Sequence, residues 1–130
     1  MTTNITVPNG AVTPVNKTFT VSRPASGDDS AVLHLREGAN EQAYVKLEFS
    51  TKSTQVGNMR GRQAVVTSVT PFGYTDVNGV FVQQGMISTS VKTTIPVNAP
   101  DAVRKDHAAY VAGILGNQQV RDLVILGYAT

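Results

Sequence analysis

Ile87 to Pro96 reads ISTSVKTTIP, and its two faces disagree. On an extended chain Met86, Ser88, Ser90, Lys92 and Thr94 fall on one side, and Ile87, Thr89, Val91, Thr93 and Ile95 on the other. Side chains alternate across a strand with period two. The stretch therefore predicts a strand with one buried face and one face of hydroxyls and lysine. What that second face meets is the functional question.

Working outward, the strand extends over 80–97, with Gly85 predicting a bulge or a close backbone approach. Before it, Asn78-Gly79 in FGYTDVNGVF is a strong turn signal, RQAVVTSVTP (62–71) reads as a strand and STQVGNMRG (53–61) as a polar turn. QAYVKLEFSTK (42–52) alternates most clearly. Ala43, Val45, Leu47 and Phe49 point inward, and Tyr44, Lys46, Glu48, Ser50 and Lys52 outward. AVLHLRE (31–37) alternates too, and ASGDDS (25–30) is a loop. ITVP, Asn9-Gly10, AVTPV and KTFTVSRP predict an opening β-hairpin.

After residue 98 the period changes. Asn98 and Pro100 start a helix with Asp101 in its first turn, and Val103, His107, Tyr110, Val111 and Ile114 share one face. Gly116 stops it, and Asn117 caps a second helix over QQVRDLVILGY. Strands followed by two helices make an α+β layout: an N-terminal hairpin, an antiparallel five-stranded sheet and two C-terminal α-helices. The second helix carries Val120, Leu123, Val124, Ile125, Leu126 and Tyr128, more apolar surface than one face requires. That leaves two arrangements open: both helices on their own sheet, or an interlocked dimer.

The chain has 130 residues, 41% hydrophobic and 15% charged, which fits one folded domain. There is no Cys, so disulfides and thiolate metal sites are excluded. MTTNITVPNG lacks the basic start and apolar core of a signal peptide. The net charge is +2, with the basic excess in residues 30–98. Lys46, Lys52, Arg60, Arg62 and Lys92 recur there among Ser50, Ser88, Ser90 and Thr94, a pattern suited to phosphate and sugar contacts and equally to a solvated sheet face.

Catalytic signals are close to empty. His34 and His107 are the only histidines, and neither sits in metal-ligand spacing. Asp28-Asp29 reads more readily as a turn former than as an acid-base pair. There is no GxSxG elbow, GxGxxG or P-loop. The expectation is a protein that is no enzyme and needs neither metal nor cofactor.

The ordered set KTFTVSRP, SAVLHLREG, AYVKLEFSTKS, RQAVVTSVTP, YTDVNGVF, SVKTTIP and DAVRKDHAAYVAGILGNQQVRDLVILGY resembles the coat proteins of small single-stranded RNA bacteriophages, the levivirus family. The resemblance covers nearly the whole chain. It implies a single coat-protein domain over 1–130: hairpin 1–24, sheet 30–97 and a helical dimerisation segment 98–130. It implies homodimers with a continuous ten-stranded sheet, closing into an icosahedral T=3 shell in the bacterial host cytoplasm. Single-stranded viral RNA would lie on the inner face, where a bound hairpin represses replicase translation. A maturation protein would be a further partner.

Carried onto this sequence, the RNA-binding residues would be Lys46, Ser50, Lys52, Gln63, Thr67, Ser88, Ser90, Lys92 and Thr94. The inter-dimer loop would be Thr75, Asp76, Val77, Asn78, Gly79 and Val80. The dimer interface would use Val111, Leu115, Val120, Leu123, Val124 and Tyr128. Two departures bear on specificity. Ser88 stands where several relatives place a tyrosine that stacks on an RNA base, and Glu48 would repel phosphate. The alternatives are a free-standing dimeric translational regulator that builds no shell and, more distantly, a small hydrolase.

Overall fold

The opening stretch lies within a strand that runs from Phe81 to Pro96 and forms the open edge of an antiparallel sheet. In the computed structural model, which describes residues 2–26, 29–38, 40–57 and 59–127, six strands follow one another across that sheet in chain order. They are β1 (Ile5–Pro8), β2 (Asn16–Arg23), β3 (Ala31–Leu35), β4 (Val45–Val56), β5 (Met59–Thr75) and β6 (Phe81–Pro96). Two helices follow, α1 (Asp101–Leu115) and α2 (Gln118–Leu126), so the class is α+β as the periodicity predicted.

The strand count differs from a hairpin plus five separate strands because β2 serves both parts. Asn16 to Phe19 pair with β1, and from Thr20 to Arg23 the same strand pairs with β3. The first connection is also not a tight Asn-Gly turn. Residues 9–15 form a loop held by Asn9, whose side-chain oxygen accepts from the Ala11 and Val15 amides at 3.2 and 3.0 Å. AVTPV is therefore loop rather than strand.

Two further boundaries move. Glu41–Ala43 is a single 3₁₀ turn capped by Asn40, so β4 begins at Val45 rather than Gln42. The supposed polar turn 53–61 is mostly strand: β4 runs to Val56, β5 starts at Met59, and Gly57 supplies the positive φ of 61° between them. Thr and its neighbours extend as strand because the hairpin ladder with β5 continues to the turn.

The turn at Asn78-Gly79 forms as expected. The Asp76 carboxylate accepts from the Asn78 and Val80 amides, both at 2.9 Å, and Gly79 takes φ 79°. Gly85 marks a bulge: Phe72 pairs with Gly85, but Gly73 pairs with Gln83, leaving Gln84 extra. The Phe72 ring lies over Gly85 so closely that a Cβ there would sit 2.6 Å from it.

The helix signals are met. Pro100 stands just before α1, Gly116 ends it, and the Asn117 side chain accepts from the Gln119 amide at 2.9 Å to start α2. The expected single apolar face of α1 splits in two. Val103, His107 and Val111 turn toward the sheet, whereas Tyr110 and Ile114 line a hollow shared with Val120 of α2.

Apolar side-chain burial is confined to β2 and β3. Phe19, Ala31 and Leu33 are the buried apolar residues, and none in either helix is buried, among those described. The predicted buried side of ISTSVKTTIP is only half-covered: Val91, Thr93 and Ile95 are intermediate, and Ile87 is 57% exposed.

Candidate nucleic-acid interface

Strand pairing decides which residues share a face, because directly opposed residues project to the same side. Four rows cross β4, β5 and β6: Lys46–Val69–Ser88, Glu48–Thr67–Ser90, Ser50–Val65–Lys92 and Lys52–Gln63–Thr94. All nine residues expected from the sequence to meet RNA thus lie on one face of one sheet. The adjacent strand adds His34 beside Lys46 and Val32 beside Glu48.

Arg60 and Arg62 do not join them. Arg62 pairs with Ser53 and Ile95, and Arg60 with Gln55, which puts both on the opposite, helix-bearing side. Grouping them with the sheet lysines ignored parity: Gln63 occupies the lysine face, so its even-numbered neighbours cannot.

The lysines are not equivalent. Lys46 is paired with Glu48 at 3.3 Å, while Lys52 and Lys92 have no acidic partner among the described residues. Glu48 is held in a small network: Ser30 Oγ donates to its Oε1 at 2.9 Å, and Arg23 donates to Ser30 Oγ at 2.8 Å. The Ser30 hydrogen bond, then that of Lys46, lowers its pKa from the ordinary value against a small opposing effect of burial. Lys52 and Lys92 are exposed.

The hydroxyls lie between these charges. Ser88, Ser90 and Thr94 are exposed, and Thr67 Oγ1 sits 3.4 Å from Ser90 Oγ. Gln63 is 7% exposed, flanked by Lys52 and Thr94, so little of it can reach a ligand. Sequence reasoning missed the extension into β3. His34 Nδ1 lies 2.7 Å from Ser22 Oγ, and its ring is 6.1 Å from that of Tyr44 at 60°. The alternation in AVLHLRE already put His34 opposite Leu33 and Leu35; only strand order brought it beside Lys46.

The opposite side of the sheet is apolar and open. A cavity of about 630 Å³ separates it from α1, walled by Val66, Val91 and Ile95 on one side and Val103, Val111 and Leu115 on the other. Of the residues expected at a dimer interface, Val111 and Val120 are half-buried and Leu115, Leu123 and Val124 exposed. Tyr128 lies outside the described residues, as does Asp28 of the loop carboxylates. The loop Thr75–Val80 caps the β5–β6 hairpin, with Val77 fully exposed at its tip.

No protein-family model matches the sequence, and no curated protein matches it. Solved structures do. A chain of the virus-like particle of bacteriophage NT-214 superposes with TM-score 0.79 at 21% identity, covering 99% of this chain and 98% of that one. For the virus-like particle of Beihai levi-like virus 21 the values are 0.83 and 12%, over 100% and 98%. The capsid protein of bacteriophage GA gives 0.72 and 20%, over 98% and 95%. At these identities the likeness is one of architecture, along essentially the whole of each chain. The fold of this protein is the coat-protein fold of the levi-like RNA bacteriophages.

Proposed function

We propose that this chain is a phage coat protein that dimerises, builds an icosahedral shell and holds single-stranded RNA against its lysine-and-hydroxyl sheet face. The observation that carries the reading is the surface left uncovered. A compact monomer of this mass exposes roughly 6,600 Å² by the scaling of folded proteins, whereas this chain exposes 9497 Å². The excess of about 2,900 Å² per chain, roughly 5,800 Å² for two copies together, reaches the range of obligate interfaces.

That surface has the right character and position. β6 is an edge of 16 residues with one side unpaired, a ready template for a second copy. Joining two such edges gives a continuous sheet, ten-stranded if the β1 arm is set aside. The partner's helices, α2 above all, would then fill the open cavity with Leu123 and Val124. Burying each Leu or Val stabilises by ~1.5–3 kcal/mol, enough together to make folding and dimerisation one event.

The shell's inner wall would be the face bearing Lys46, Lys52 and Lys92. With Lys46 matched by Glu48 and serine at position 88, this face suits sequence-tolerant packaging better than tight recognition of one hairpin. The Thr75–Val80 loop would meet neighbouring dimers. T=3 geometry, repression of a replicase message, a maturation-protein partner and assembly in a host cytoplasm belong to the same reading, as does one coat-protein domain over 1–130.

Expression of the chain alone followed by electron microscopy tests the proposal. Uniform closed particles containing host RNA are expected. Stable dimers that bind RNA yet never assemble would replace it with a free translational regulator.

A further inference from the structure

We propose that the helix-bearing side of the sheet holds a separate binding site for one phosphate-type oxyanion, formed by Arg60, Arg62 and Arg104. The three arginines line a single hollow of about 390 Å³ where the end of β6 turns into α1, with Ile95, Pro96 and Val97 as its apolar wall. The ladder fixes two of them. Arg60 and Arg62 flank Gly61, where β5 approaches β6 so closely that a Cβ would stand 2.7 Å from the Ile95 carbonyl oxygen. The Val97 amide donates to the Arg60 carbonyl at 3.0 Å, closing the ladder beside the hollow.

Arg104 arrives from the first turn of α1. Its Nε donates to the Ala99 carbonyl at 3.0 Å, which orients the guanidinium, and among the described residues its terminal nitrogens have no partner. A cation in the first turn of a helix opposes the helix dipole. Three clustered cations also repel one another. Neither cost is relieved locally. Among the described residues no acidic side chain lines the hollow, and Asp101, the nearest acid in sequence, is engaged by Lys105 at 3.0 Å.

A tetrahedral oxyanion offsets both costs, because forked guanidinium groups match its oxygens two at a time. The site lies across the sheet from Lys46 and Lys92, and stands whether or not that other face binds RNA.

The test is calorimetric titration of the full chain, freed of nucleic acid, with inorganic phosphate at constant ionic strength. One saturable site per chain is expected, weakened at least about tenfold in Arg104→Gln and Arg62→Gln, since each loses a charge-assisted contact. Lys92→Ala, on the opposite face, should bind phosphate unchanged. Circular dichroism establishes that each variant is folded, and Arg62→Lys, keeping charge without the fork, should fall between wild type and Arg62→Gln. Absence of saturable binding overturns the site, as does binding that survives in folded Arg104→Gln. A second arm uses single-stranded RNA. Arg104→Gln should leave RNA affinity unchanged, and a loss there would show the arginines to be part of an RNA surface instead.

Discussion

Lys92 and Glu48 share one sheet face and should act in opposite directions on RNA. Lys92 is exposed between Ser90 and Thr94 with no acidic partner among the described residues, so Lys92→Ala should weaken binding to many sequences alike. The salt dependence should flatten by roughly one phosphate contact, about 0.7 in slope on single strands, with thermal melting almost unmoved. Filter binding across a salt series checks this; wild-type affinity and slope would leave the face a merely wet surface. Glu48→Gln removes a negative charge and releases Lys46, and should strengthen binding and steepen the slope in the same assay. It also has a signature in pH. A carboxyl whose folded pKa is lowered contributes stability above its ordinary pKa, lost as pH falls through the lowered value. The Gln variant should therefore melt below wild type near neutrality, and the gap should close as the pH falls through that lowered value. A gap that persists there would mean that the Ser30–Glu48 contact acts through packing rather than charge.

Among the elements, the β5–β6 hairpin carries two separable features, its tip and its bulge. At the tip, Asp76 organises its own loop through two amides, and Val77 and Asn78 are exposed. Deleting Asp76–Gly79 should leave dimers folded by circular dichroism while lowering the yield or heat resistance of particles. Particles with unchanged yield and melting would remove the loop from inter-dimer contacts. The bulge is structural. A Cβ at Gly73 would collide with the Val82 carbonyl on the neighbouring strand, and backbone cannot swing aside as a flexible side chain would. Gly73→Ala should accordingly cost roughly 1–3 kcal/mol in a denaturant melt, whereas Gly79→Ala, in open space at positive φ, should cost about 1 kcal/mol from backbone strain alone. Equal costs would argue that conformation rather than close approach constrains both.

For the whole molecule the deciding quantity is uncovered apolar surface. Tyr110 and Ile114 are about as exposed as residues at a free surface, 64% and 59%, although they are large and apolar. Removing residues 117–130 should abolish soluble dimer, since the lost burial of Val120, Leu123 and Val124 at ~1.5–3 kcal/mol each rivals the net stability of a small domain. Size-exclusion chromatography with light scattering measures it, and a truncated chain that stays folded and monomeric would refute the interlocked arrangement.

What the sequence determined by itself is local and periodic. The alternation in VKLEFSTK and ISTSVKTT assigned Lys46, Ser50, Ser90 and Lys92 to the outward side of their strands, because a period of two leaves each residue no choice of face. Asn78-Gly79, Pro100, Gly116 and Asn117 marked turns and helix ends through chemistry confined to a few residues. Tertiary structure decided what depends on register between distant segments. It carried β2 from one partner strand to the next, brought Ser30 to Glu48, and added His34 to the lysine face. It also sent Arg60 and Arg62 to the other side, where Arg104 meets them. Only in three dimensions is it visible that α1 and α2 leave their apolar residues uncovered: helical periodicity says which residues need burial, but not whether one chain is large enough to supply it.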